Sequence, residues 1–406
     1  MARWAACLVT CYSPSHSNKP THFLPIRKFG CRPETHDTNS MYITAGILAL
    51  ALILIILWEA FETIILPRRV SRRVRLTRFF YLVIWQPWAA MARAVTSRKR
   101  REALLGYFGP LSLLLLLMFW GCGLLFGFAV LQWSFGSQLT AADGRPTDFW
   151  TDLYMSATTF FTLGLGDVVP KSGLARVFTA VECATGFGFF VGLIGYLPTT
   201  YQSFSRREAN ISLLDARAGS PPSASEILKR QAQSGDPATL TQLLAEWERW
   251  SADILESHIS YPVLCYFRSQ HDNQSWLASL TSILDVCALA IVGVDRVPAW
   301  QARLTFAMAR HAMVDISQIF GQKPKKEIAN RLPPEKLQEL KETLAADGVT
   351  VCNSPMLEKR LTELRAMYEP YVASLSEFLL MELPDWMPRT GAKDSWKTAA
   401  ASSTHD

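Results

Sequence analysis

A chain of 406 residues with a net charge of +6 has room for two domains. Its composition, 49% hydrophobic and 19% charged, averages two unlike halves. Residues 103–142 hold no charged side chain, Glu182 is the one charge between Val177 and Ser205, and from Arg206 onward the composition is that of a soluble protein.

The basic residues stand in short blocks beside apolar runs, which marks topology rather than a nucleic-acid footprint, so no nucleic-acid partner is expected. Eight scattered cysteines without a C-x-x-C pair build neither a disulfide framework nor a zinc module.

Residues 1–40 are rich in His, Pro, Ser and Cys, and no apolar core of a signal peptide lies among them. They are expected to be either a non-native extension, with translation starting at Met41, or a disordered one. Residues 41–101 form the next unit. An apolar run from Met41 to Leu66 is long enough to cross a bilayer and stops at Pro67. Arg68, Arg69, Arg72, Arg73, Arg75 and Arg78 follow. The stretch Phe79–Val95 is short, contains Gln86, Pro87 and Arg93, and precedes a second basic block, Arg98 to Arg101. If it crossed, one basic block would face outward, so it is expected to lie in the interface with both blocks cytoplasmic.

Residues 102–205 hold the next two spans. Pro110–Trp133, about 24 residues at 1.5 Å each, reaches roughly 36 Å. A polar loop runs from Gly136 to Thr147, and the third span covers Ala175–Ser203, closed by Arg206 and Arg207. With Arg101 and Arg207 on one side, residues 135–174 face the other. Asp148–Phe161 is too short to cross and should dip into the bilayer as a helix capped by Thr147 or Asp148.

After this helix the chain reads Thr159-Phe160-Phe161-Thr162-Leu163-Gly164-Leu165-Gly166-Asp167. At these positions it resembles the potassium-channel pore family, whose pattern is T-x-x-T-x-G-x-G-D. The likeness covers roughly residues 110–205. It implies a homotetramer in which the carbonyls of Thr162, Leu163, Gly164 and Leu165, with the Thr162 hydroxyl, replace the hydration shell of K+ as the permeant ion. Gly164 and Gly166 supply the backbone conformations that aim successive carbonyls inward. Asp167 sits at the outer mouth, where four carboxylates gather cations. Leu165 departs from the family, which usually has Tyr there, and resembles some second pores of two-pore-domain channels. Cation conduction follows from the likeness, and selectivity ranges from potassium to weakly selective monovalent cation.

Thr159 and Glu182 are candidates for pore support. An intramembrane carboxylate is a functional candidate in its own right, and Glu182 braces the pore helix from behind, faces the ion path, or sits wetted at the level of the interface. Gly186 and Pro198 mark either close helix packing or a gating bend.

Residues 206–390 read as a helical cytoplasmic domain, with helices near 223–234, 237–259, 262–270, 274–293, 298–320, 334–346 and 355–382. The apolar stretch Leu280–Val294 carries Asp285 and is taken as a core helix. His311 and Asp315, at i and i+4, are weak metal-ligand candidates. Residues 391–406 are expected to be a disordered tail.

The fold class is therefore an all-α membrane protein with spanning helices, a re-entrant pore helix and a filter, followed by an all-α soluble domain. The expected setting is a plasma membrane, a bacterial inner membrane, with the C-terminal domain cytoplasmic. The partners are lipid and three further copies, with a ligand of the soluble domain left open and no cofactor. The alternatives from other classes are a membrane-anchored enzyme and a non-conducting sensor, in which the helical domain carries the activity.

Overall fold

The computed structural model describes residues 35–66, 75–142, 144, 146–271, 273–294, 299–351 and 354–388. The expectations for residues 1–34, for Arg68, Arg69, Arg72 and Arg73, and for 391–406 fall outside these. Among the described residues the chain is almost wholly helical.

The first helix, α1 (Thr35–Ala60), starts ahead of Met41 and ends in a π turn, Phe61–Ile65. Part of the expected extension is thus helical. Next come α2 (Leu76–Ala94) and α3 (Arg98–Ser134), the latter far longer than the expected span because its basic first turns are helical too. The short helix α4 (Phe149–Phe160) is followed by α5 (Gly173–Ala218), which runs through Pro198 without a break. The apolar stretches of α1, α3 and α5 are each long enough to cross a membrane.

α1 lies along α3 where small residues allow close approach. A methyl group at Gly123 would fall 2.5 Å from Ile56 Cδ1, and one at Gly127 would fall 2.8 Å from Ile53 Cγ1. Glu59, buried at the end of α1, accepts hydrogen bonds from the backbone N–H groups of Leu76 and Thr77 (both 3.2 Å) and from the Thr77 hydroxyl (2.8 Å). It satisfies donors that the start of α2 leaves open and opposes the positive end of that helix.

One face of α2 packs on the C-terminal half, while Phe79, Leu82, Val83 and Met91 stay exposed on it. Trp85, Ala89 and Ala92 are buried in one core with Ile211, Leu214, Tyr266 and Leu379 of the C-terminal half. The Trp85 indole donates to the Phe378 carbonyl at 3.1 Å, and the Trp88 indole donates to the Leu104 carbonyl at 3.2 Å. Residues 41–101 and the helical half therefore share packing.

The C-terminal half continues with α6 (Ala224–Gln233), α7 (Pro237–Ser260), α8 (Trp276–Gly293), α9 (Ala299–Ile319), α10 (Pro334–Ala346), α11 (Pro355–Ala366) and α12 (Glu369–Leu379). α8 is long and apolar enough to cross a membrane but is buried on nearly every side, as a core helix. Its one charge, Asp285, is fully buried and is held by Arg331 (2.6 and 3.1 Å) and the Tyr368 hydroxyl (2.5 Å).

Two expected helices are corrected. Residues 262–270 form only a 3-10 turn, Pro262–Tyr266: the Leu264 carbonyl takes the Phe267 N–H in the 3-10 pattern together with Arg207, and the Cys265 and Phe267 carbonyls accept side-chain donors. The helix expected over 355–382 is two, broken at Met367 and Tyr368. Pro370 has no N–H to give the Ala366 carbonyl, and its ring would press against that carbonyl.

Candidate functional site

The site is the loop between α4 and α5, and its entry is well fixed. The Asp148 carboxylate accepts the Thr151 N–H at 2.9 Å, and the Thr151 hydroxyl closes a reciprocal capping box. A strand pair then frames the outer loop: β1 (Leu139–Ala141) runs antiparallel to β2 (Val168–Pro170), with Thr140 opposite Val169. The Ala142 N–H donates to the Asp167 carbonyl at 2.8 Å, tying the end of the 162–167 segment to that loop.

Thr158 terminates α4. Its carbonyl accepts the N–H groups of Leu163 (2.8 Å) and Gly164 (3.3 Å), while the Thr162 N–H donates to Thr159 (3.0 Å). From there the backbone alternates. Thr162, Gly164 and Gly166 have φ of 56°, 57° and 78°, and the residues between them do not have positive φ. A chain that changes hand at every second residue turns successive carbonyls toward one side instead of opposite sides. Glycine is required at 164 and 166 for this reason alone, since a Cβ at either position meets nothing within 4 Å.

Residues 161–167 are all exposed, with Leu163 and Leu165 at 61% and 60%. The segment therefore leans on the rest of the chain through backbone contacts at its two ends. One side-chain contact was not foreseen. The Tyr154 hydroxyl on α4 donates to the Asp167 carboxylate at 2.8 Å. An aromatic hydroxyl on a short apolar helix carries no periodic signal, so nothing in its spacing singles it out.

Behind the strand, α4 packs against α5. Thr159 is 8% exposed and Glu182 is 1% exposed. The Ser156 hydroxyl is hydrogen-bonded to Glu182 and lies 2.8 Å from the Leu125 carbonyl of α3. The Glu182 carboxyl thus faces the short helix α4. Gly186 is buried, and a Cβ there would stand 2.1 Å from the Phe160 carbonyl oxygen. That close approach is a packing reason for glycine at this position. Pro198 sits exposed within the continuous α5.

In the C-terminal part of α5, Arg207 is buried and donates to the carbonyls of Leu264 (2.8 Å) and Phe267 (2.9 Å) and to Glu208 (3.0 Å). Phe267 also fills the space left by Gly109 on α3, where a Cβ would come within 2.6 Å of its ring. The turn at 262–267 thus touches both helices that flank the site. His311 and Asp315 lie on the surface of α9, 3.7 Å apart, with His311 59% exposed. Among the described residues no third His, Cys, Asp or Glu joins them in a metal-binding group.

Residues 113–203 match the family model described as "Ion channel". This segment is an ion-channel domain of a membrane protein and holds α4, the 162–167 strand and the apolar parts of α3 and α5. The chain is also similar to the uncharacterized membrane protein YdjJ of Bacillus subtilis (strain 168), with 25% identity over 179 residues. The match covers 44% of this chain and 51% of that one, so the chain spans about half the length of the curated relative it matches. No solved structure matches the chain.

Proposed function

We propose that this chain is one subunit of a homotetrameric channel that passes potassium passively across a bacterial inner membrane, with the C-terminal half in the cytoplasm. The alternation of φ at Thr162, Gly164 and Gly166 carries the reading. Four such strands around an axis stack rings of carbonyl oxygens, from Thr162 through Leu165, that replace the water of a bare cation. A closed ring needs cyclic symmetry, and the exposed leucines at 163 and 165 are the faces that neighbouring subunits would cover. Asp167 stands at the outer mouth. The gate is assigned to α5, at the Gly186 packing contact and at Pro198, where the helix lacks one hydrogen bond. The helical half biases that gate through Arg207.

Leu165 has no hydroxyl to anchor the strand to the helix behind it. The Tyr154–Asp167 hydrogen bond supplies an anchor one step further out. Potassium preference is expected to depend on it. In a bilayer with mixed potassium and sodium, Tyr154→Phe should raise the sodium-to-potassium permeability ratio by about fivefold, the equivalent of one hydrogen bond near 1 kcal/mol. An unchanged reversal potential in this variant would remove Tyr154 from the account of selectivity.

The general test is flux through the purified full-length protein in liposomes. Potassium should leave, and Gly166→Ala should stop it because alanine does not tolerate φ of 78°. Equal permeability to sodium in the wild type would strike out potassium selectivity. A wild type that carries no ion would strike out the channel and favour the non-conducting sensor.

A further inference from the structure

The α4–α5 contact is fixed at two points with matching spacing. Ser156 meets Glu182, and Phe160 meets Gly186, so each helix presents positions four apart. Sliding α5 by one residue breaks both contacts at once, and α4 carries the 162–167 strand at its end. The first contact has a further chemical constraint, which lies in the number of protons available.

The Ser156 hydroxyl has one proton. Its oxygen lies within hydrogen-bond distance of two acceptors, the Leu125 carbonyl (2.8 Å) and a Glu182 carboxyl oxygen. If Glu182 were a carboxylate, the single proton would serve one acceptor and leave two lone pairs facing each other at the other. The carboxylate would also be an isolated charge, because Ser156 is its one hydrogen-bond partner among the described residues and no Lys, Arg or His pairs with it there. An ionised carboxylate in such surroundings is very costly. If the proton stays on Glu182, every contact is satisfied. The carboxylic acid donates to Ser156, and Ser156 donates to Leu125.

We propose that Glu182 works as an un-ionised carboxylic acid, a positioning residue that acts through Ser156. The two hydrogen bonds in series join α5 to α4 and α4 to α3, across all three helices that hold the conducting strand. This rests on the reading of that strand as an ion path, and it adds that the path is braced by a neutral donor and not by a buried charge. The carboxyl never meets the ion. Glutamine has nearly the same size and keeps an N–H donor at the same place, so it should replace the acid. Leucine keeps the volume but gives Ser156 nothing.

The test uses the full-length protein in liposomes with potassium efflux as one readout and infrared absorption as the other. Glu182→Gln should hold efflux within about twofold of the wild type, whereas Glu182→Leu should lower it about tenfold, the consequence of one lost buried hydrogen bond. Ser156→Ala should fall as far as Glu182→Leu, and the double variant should fall no further, since both remove one chain of bonds. The wild-type spectrum should contain a carbonyl-stretch band of an un-ionised carboxyl that disappears in Glu182→Gln. Glutamine as damaging as leucine, or a spectrum in which that band is unaltered by Glu182→Gln, overturns the proposal. The infrared result stands without conduction, so a silent wild type refutes the channel reading alone while the band still decides the state of Glu182.

Discussion

Arg207→Met should lower the stability of the assembled protein by about 3–5 kcal/mol, the usual cost of breaking a buried charge pair from one side. The methionine fills much of the same space. It leaves Glu208 buried without its nearest cation and leaves the carbonyls of Leu264 and Phe267 without their donors. The remaining partners of Glu208, the Ser269 hydroxyl (3.2 Å) and the Gln270 N–H (3.3 Å), are neutral. Thermal unfolding in detergent reads the loss. Arg360→Met supplies the comparison, because Arg360 and Glu363 are paired at 3.1 Å but about half exposed, and such a pair contributes about 1 kcal/mol or less. Equal unfolding temperatures for the two variants would show that the buried guanidinium holds nothing.

The same cluster sets a pH dependence. His258 Nδ1 is 2.9 Å from the Ile254 carbonyl and is therefore the protonated nitrogen, which leaves Nε2 facing Arg207 at 3.5 Å as an acceptor. Burial, and then the positive charge of Arg207, push this imidazole well below its ordinary value of 6.5. Below that pH the unfolded chain binds a proton that the folded chain refuses. Stability from this group is complete above about pH 6.5 and falls as the pH drops further. His258→Gln should flatten that part of the profile.

Gly186→Ala is the second large effect. The new methyl carbon would lie 2.1 Å from the Phe160 carbonyl oxygen and 2.9 Å from its carbon. Both are backbone atoms at the end of α4, so no side-chain rotation relieves the clash. α4 must move away from α5, and the 162–167 strand moves with it. Potassium efflux is expected to fall by about tenfold or more, in line with an overpacking cost of about 1–3 kcal/mol. Gly106→Ala makes the control, since nothing lies within 4 Å of a methyl there. It should conduct as the wild type does. Normal efflux in Gly186→Ala would mean that the two helices can separate without disturbing the strand.

Much of this arrangement is legible in the sequence. Charge-free runs mark the spans, and the T-x-x-T-x-G-x-G-D spacing marks the loop. Gly164 and Gly166 announce two of the three positive-φ positions, whereas Thr162 does not announce the first. What stayed hidden has physical causes. An apolar helix face looks the same whether it meets lipid or protein, so Trp85 and Trp88 gave no sign that α2 packs on the C-terminal half. The turn at 262–267 was taken for a helix because its composition is apolar, and the residues that claim its carbonyls, Arg207 and Trp276, are distant in the chain. Pro370 marks the break between α11 and α12 in the sequence itself. Glu182 was conspicuous as a lone charge. Its partner Ser156 was not, because serine is ordinary in any helix.

The turn at Pro262–Tyr266 and the Phe267 that follows it have a mechanical consequence. Phe267 occupies the notch of Gly109 on one membrane helix, while Arg207 of the other grips the same few carbonyls. At these two contacts the helices are therefore riveted to a common plate. A force on the helical half cannot pull one of them inward or outward by itself. In the proposed channel, dilation at this end therefore has to tilt both helices as a block, with the pivot beyond the rivet.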